Sequence, residues 1–462
     1  MSEVNAKEYV EGLMERARKA QEVAEGFDQE KVDYLTKAIV WNVIKPGTIE
    51  KISELAVEET QLGNYAGKYA KLRTKLKGAL RDMEGEKTLG VIERDEKKGL
   101  IKIAKPVGVV GAVIPTTNPE ATPVLKAIMC IKTRNAIVMS PHPRAKKTNT
   151  MIVNLMRDVL KENGLPEDLI IGVEEPTLDI TQEVMKQCDL ILATGGGGLV
   201  KAAYSSGTPA YGVGQGNSVS LIDETADTKD AANKIMRSKT FDFATSCSTE
   251  NSLVVVEDVY DELIENLKSE GGYLVDTDEK KKLQAGMWID GHLNPKIIAQ
   301  PLQNIADVAE LNVPEDRKFF MVEETGVGAD YPFSGEKLSV VVTIFKVKNF
   351  EEAVEKVKDI TNYQGKGHSC GIHSTDDDRI LKYALEMKTS RLMVRQPQCL
   401  ANSGAWTNGM PMTLSLGCGT WGGNISSENI TWKHLINTTT VSYEIPGSEI
   451  PDEEIFGSIM NE

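Results

Sequence analysis

The strongest constraint on the fold is an alternation of two hydrophobic periods that starts near residue 100. IKIAKPVGVVGAVIP (101–115) is rich in β-branched residues and broken by Gly and Pro, a strand signature. Helical spacing follows in PVLKAIMCIKT, then an apolar run in NAIVMSP, then the helical KTNTMIVNLMRDVLKENG and the strand-like DLIIGVEE. LDITQEVMKQ, CDLILAT, a glycine run and LVKAAYSSG continue the pattern to about residue 207. Strands separated by helices of this length predict an α/β fold with a parallel sheet.

The alternation resumes after 225 with DTKDAANKIMRSKTF, SLVVVED, YDELIENLKSEGG, LSVVVTIFKV, EEAVEKVKDI and SCGIHS. The chain therefore divides into two α/β halves joined around 215–230. Residues 5–93 carry apolar positions at i, i+3, i+4 and are expected to be helical. NTTTVSYEIP (437–446) has no evident partner in either half, so it is expected to extend a sheet between subunits.

Composition removes several function classes. A net charge of −15 argues against nucleic acid as a partner, because phosphate backbones require clustered Lys and Arg. No apolar run of about 18 residues is present, so no membrane span is expected. The amphipathic start MSEVNAKEYVEGLMERARKA lacks the apolar region of a secretory signal, and a cytoplasmic, reducing location is the expectation. Six cysteines, none in a CxxC pair, give no metal signature. Cys130 and Cys188 lie in apolar runs and read as core.

Two stretches carry chemistry. ATGGGGLVKAA (193–203) follows an apolar strand and opens a helix. Thr194, Gly195, Gly196 and Gly197 there would let backbone N–H groups approach a phosphate, although neither a Walker nor a GxGxxG spacing is present. FDFATSCSTENS (241–252) sets Cys247 among small and hydroxylated residues, where a thiol can be core, ligand or nucleophile. In GAVIPTTNPEATP, Asn118 ends a strand and offers the amide donor that an oxyanion needs.

Together, IPTTNP, the glycine turn, a cysteine about 130 residues beyond the asparagine, and PFSGEKLSVVV (332–342) resemble the aldehyde dehydrogenase superfamily over residues 5–446. The resemblance implies two α/β domains with parallel-sheet cores plus an oligomerisation strand. It divides the chain into 1–220 for the nicotinamide cofactor (with 95–115 partly in the oligomerisation sheet), 221–430 for catalysis, and 431–462 for oligomerisation strand and tail. Cys247 is then the nucleophile, Asn118 with the Cys247 backbone N–H the oxyanion hole, and Glu336 the ligand of the nicotinamide-side ribose. Thr116, Ser140, His142, Arg144, Thr194–Gly197 and Val213 fall on the cofactor side.

The departures point to a branch. Hydrolytic members carry a water-activating glutamate in ELGG, and the matching segment here is VGQGNS with Val213 at that position. A valine takes no proton, so the thioester awaits another thiol. This pattern, with SPHPRAKK, GHSCGIHS and LGCGTWGGNISSEN, is similar to the CoA-acylating branch. NAD or NADP and coenzyme A are the implied cofactors, and a homodimer or homotetramer the implied assembly. In RLMVRQPQCLANSGAWTNGMPMT (391–413), Arg395, Gln396, Gln398, Asn402, Ser403, Trp406 and Asn408 suit an anionic aldehyde tail, with Arg395 as its partner. His368 is a candidate for thiol exchange or CoA binding. Within the branch the similarity is to members acting on sulfoacetaldehyde, then to those acting on succinate semialdehyde or acetaldehyde. Two rival readings are a hydrolytic dehydrogenase using Glu250 or Glu428, and a non-catalytic nucleotide-binding protein.

Overall fold

The computed structural model describes residues 5–447 and 449–461. Four helices come first: Ala6–Ala24, Gln29–Ile44, Thr48–Thr60 and Tyr65–Met83. Asn5, Asp28 and Asn64 cap three of them through side-chain oxygens that accept first-turn N–H groups. The fourth has an unusual inner face. Lys68, Lys71 and Lys75 share the helical spacing of Leu72, Leu76 and Ala79, and all six are buried.

Five parallel strands form the first sheet, in the order Ile170–Gly172, Ala136–Pro141, Val109–Ile114, Leu190–Thr194, Ala210–Val213. The strand order therefore reverses between Val109–Ile114 and Leu190–Thr194, and the crevice beyond their carboxyl ends is where such sheets bind ligands. Val109–Ile114 and Ala136–Pro141 are buried throughout, which is why they read as unbroken apolar runs. Helix Thr122–Lys132 is buried along its whole length because it packs against helix Gln29–Ile44 as well as the sheet.

The second sheet has seven parallel strands, ordered Gly272–Leu274, Phe319–Glu323, Val341–Val347, Glu250–Val256, Ser218–Ile222, Cys370–His373, Leu392–Val394. Only Gly214–Asn217 separates the two sheets. The join is shorter than the expected 215–230 because Ser218–Ile222 is already a buried inner strand of the second sheet.

A third, antiparallel sheet holds Gly90–Asp95, Leu100–Pro106 and Ile436–Ser442. The expectation that 437–446 lacks a partner in its own chain fails here. Ile436 pairs with Pro106 and the register runs on to Ser442 with Leu100. Ile430, Trp432 and Leu435 first rejoin the core around the first sheet, which brings distant segments together. The outer edge of Ile436–Ser442 has no strand partner among the described residues. No described helix is long and apolar enough to cross a membrane.

Candidate active site

Helix Thr228–Thr240 ends in a turn that three consecutive non-glycine residues make with positive φ: Asp242 (48°), Phe243 (50°) and Ala244 (62°). Each left-handed L-residue costs on the order of 1–2 kcal/mol, so something must hold the turn. The Asp242 carboxylate does so. It accepts from Asn64 N at 2.7 Å, Thr245 Oγ1 at 2.7 Å and Lys71 Nζ at 2.5 Å, and lies 3.1 Å from Lys68 Nζ. A Cβ on Gly67 would sit 2.5 Å from Asp242 Cβ, so only glycine leaves room for the turn.

The turn delivers Cys247 to the junction of the two sheets. A Cβ on Gly216 would stand 1.9 Å from Cys247 O, so the 214–217 loop lies directly on the Cys247 backbone. Cys247 Sγ is 3.1 Å from His368 Nε2. The other ring nitrogen meets Ser369 Oγ at 2.8 Å, and Ser369 meets Ser218 Oγ at 2.6 Å. Arg391 Nη2 donates to His368 O at 2.8 Å and fixes that segment. Burial, then the Arg391 charge, lowers the His368 pKa to about 3. Burial and the Glu336 charge raise the Cys247 thiol above its ordinary value. The resting pair is therefore neutral. With Nδ1 donating to Ser369, Nε2 is an acceptor facing the thiol.

Asn118 follows the strand Val109–Ile114. Lys71 Nζ donates to Asn118 Oδ1 at 2.5 Å, which turns the amide nitrogen away from the lysine. That nitrogen makes only a 3.3 Å bond, to Thr117 Oγ1, and the Cys247 backbone N–H makes none among the described residues. Two donors are thus free for an oxyanion. Lys71 also pairs with Glu120 at 3.1 Å, and Lys68 Nζ donates to Thr117 O at 2.6 Å. One buried set of two lysines and two carboxylates thereby anchors both the Asn118 loop and the Cys247 turn.

On the cofactor side, Gly196 caps the helix Gly197–Tyr204 at the carboxyl end of Leu190–Thr194. A Cβ on Gly196, Gly197 or Gly198 would meet nothing within 4 Å, so the protein's own packing does not require these glycines. Thr194 Oγ1 is buried without a partner. An open backbone cradle and an orphaned hydroxyl at the strand-order reversal fit a dinucleotide. Thr116, half-buried, lies on the loop after Val109–Ile114, while Val213 is 4% exposed at the end of the edge strand Ala210–Val213, beyond Leu190–Thr194. Burial raises the Glu336 pKa to about 7, with Gln215 and the Gly216 backbone opposing the shift. Three further candidates make bonds within the protein. Ser140 Oγ pairs with Thr181 Oγ1 at 2.8 Å, His142 Nδ1 accepts from Arg144 N, and Arg144 Nη2 donates to Thr60 O.

A cavity of about 330 Å³ is lined by Asn118, Thr245 and Ser246, the last next to Cys247 in the chain, although Cys247 itself is not a lining residue. Gln396, Ser403 and Trp406 line it, whereas Gln398 and Asn402 are packed inside. Arg395 is not among the lining residues. It stands exposed where strand Leu392–Val394 ends, with φ 50° and its N–H on Ile372 O. The lining cations are Lys71, Lys75 and Arg237. A larger cavity of about 640 Å³ sits behind helix Tyr65–Met83 and contains neither Cys247 nor Asn118. Glu428 lies there and pairs with His434 at 3.1 Å. Glu250 accepts from Gln398 N and bonds Ser238 Oγ, so neither carboxylate is directed at the thiol.

Residues 9–317 match the aldehyde dehydrogenase family, and the chain belongs to it. It is 48% identical over 455 residues to a sulfoacetaldehyde dehydrogenase from Acholeplasma sp., covering 97% of this chain and 94% of that one. An acetylating aldehyde dehydrogenase structure from Geobacillus thermoglucosidasius is 38% identical and superimposes with a TM-score of 0.93, covering 97% of this chain and 99% of that one. A propionaldehyde dehydrogenase structure from Rhodopseudomonas palustris, with bound CoA and an acylated cysteine, is 26% identical with a TM-score of 0.84 and covers 94% and 96%.

Sequence reasoning missed Lys71, Lys75, Asp242 and Arg237. A signal existed for the lysines: Lys68, Lys71 and Lys75 recur at the spacing of the apolar face, where a solvated lysine does not belong.

Proposed function

We propose that this protein is a CoA-acylating aldehyde dehydrogenase that interconverts sulfoacetaldehyde, CoA and NAD(P)+ with sulfoacetyl-CoA and NAD(P)H. The observation that carries the reading is the Cys247–His368 contact at 3.1 Å beside free oxyanion donors, with a buried valine where a hydrolytic base would stand. The thiol proton passes to His368 Nε2 as Sγ attacks the aldehyde carbon. Asn118 Nδ2 and the Cys247 N–H hold the oxyanion of the thiohemiacetal. The 194–197 cradle and Glu336 would hold the nicotinamide cofactor, which would supply the hydride acceptor. Cys247 is left as a thioester. Val213 cannot activate water, so the thioester persists until the CoA thiol attacks; His368, having released the first proton to solvent, takes the CoA proton and returns it to the departing Cys247 Sγ. The Acholeplasma relative supports the choice of aldehyde, and the CoA-bound, acylated Rhodopseudomonas structure supports the transfer.

The same reading puts the enzyme in the cytoplasm as a homodimer or homotetramer built on the free edge of Ile436–Ser442. Residues 1–220 serve the cofactor, 221–430 catalysis and 431–462 assembly. Absorbance of reduced nicotinamide tests the activity. With sulfoacetaldehyde and NAD or NADP, steady turnover should require CoA. Sustained turnover without CoA would refute the acylating reading.

A further inference from the structure

We infer that Arg237 and Lys75 form an anion subsite in the aldehyde cavity that holds the sulfonate tail while the carbonyl faces Cys247. The inference rests on the proposed activity and names residues for its substrate preference. The cavity is lined by three cations and no carboxylate, in a chain with 68 acidic and 53 basic residues. Lys71 is neutralised from behind by Asp242 and Glu120. The other two cations are not neutralised.

Lys75 is buried, and its Nζ contacts only carbonyls: Gly404 O at 2.5 Å, Ser403 O at 3.3 Å and Leu400 O at 3.4 Å. A buried ammonium with no counter-ion is costly, and an anion entering the cavity supplies the missing charge. Arg237, near the end of helix Thr228–Thr240, is exposed at the cavity and makes no ion pair or hydrogen bond among the described residues. A free guanidinium fork grips two oxygens of a sulfonate or carboxylate at once. Asn118 and Ser246 line the same cavity, and Ser246 precedes Cys247 in the chain. One small molecule carrying both an anion and an aldehyde would engage both sets of residues.

The test uses the full-length enzyme, Arg237→Gln and Lys75→Met. Because Arg237 is exposed, its variant is expected to fold, and circular dichroism checks both. Calorimetry with ethanesulfonate reads the subsite without turnover. Wild type should bind it, and Arg237→Gln should bind it about thirtyfold more weakly, as for a lost charged hydrogen bond. The ratio of kcat/KM for sulfoacetaldehyde to that for propionaldehyde should fall by a similar factor in each variant. An unchanged ratio, or ethanesulfonate binding equal in wild type and Arg237→Gln, would overturn the subsite. A rise in KM for CoA alone would also overturn it, because the cations would then serve the phosphates of CoA. If wild type turned over no aldehyde, the proposed activity would fail while ethanesulfonate binding still reported on the subsite.

Discussion

On the cofactor side of Cys247 the wall is backbone: three glycines with open space where a Cβ would be, a helix start and a strand end. On the aldehyde side the wall is side chains drawn from helix Tyr65–Met83, helix Thr228–Thr240 and the 396–407 segment. A backbone cradle grips a phosphate whatever the rest of the ligand is. A cavity of placed side chains can choose among aldehydes. Between the two walls, one charged set built on Lys71 ties the Asn118 loop to the Cys247 turn.

The most severe way to break the arrangement is at its centre. Cys247→Ala should lose more than about 10⁴ of kcat, the scale of a lost nucleophile, while the melting temperature stays close to wild type. Both are read by absorbance and calorimetry.

Lys71→Met breaks the link between the walls. Removing one member of a buried ionic set costs about 3–5 kcal/mol, and loss of a positioned oxyanion donor costs about 10²–10³ in kcat. Denaturant unfolding and single-turnover rates separate the two effects. If stability fell with kcat preserved, Lys71 would be a structural residue only.

Gly197→Ala tests the cofactor wall. Alanine in the first helical turn should stabilise by about 0.5–1 kcal/mol, because the site has room and no positive φ. KM for the nicotinamide cofactor should rise about tenfold through crowding of the cradle, with the aldehyde KM moving less. Greater stability joined to weaker cofactor binding would show that the glycine serves the ligand.

The smallest effect concerns protonation. A thiol raised by burial and a histidine lowered to about 3 both favour the neutral pair. Inactivation by iodoacetamide should climb steadily with pH beyond about 8.5, with no step between about pH 5 and 8. An acid-range plateau would mean a resting thiolate–imidazolium pair.

The two walls also differ in how far the sequence disclosed them. The parallel sheets, the glycine cradle, Asn118 and Cys247 are local patterns: a strand, a turn and a helix start lie within a dozen residues. The cavity is not local. Lys75, Arg237 and Gln396 converge only after the chain has crossed between sheets, so Arg395 looked like the anion partner merely because it stood near the right segment. The pairing of Ile436–Ser442 with Leu100–Pro106 was hidden for the same reason. His368 lies between these cases, since its segment was legible as a motif but its contact with Cys247 depends on strands Glu250–Val256 and Cys370–His373 flanking Ser218–Ile222 in the second sheet.

The most direct measurement is intact-protein mass spectrometry after mixing the enzyme with sulfoacetaldehyde and NAD or NADP, without CoA. A sulfoacetyl adduct that maps to Cys247, persists for minutes and leaves as sulfoacetyl-CoA when CoA is added is the predicted result. Free sulfoacetate accumulating over many turnovers with no adduct would contradict the account, because a water-activating base would then exist beside Cys247 despite Val213.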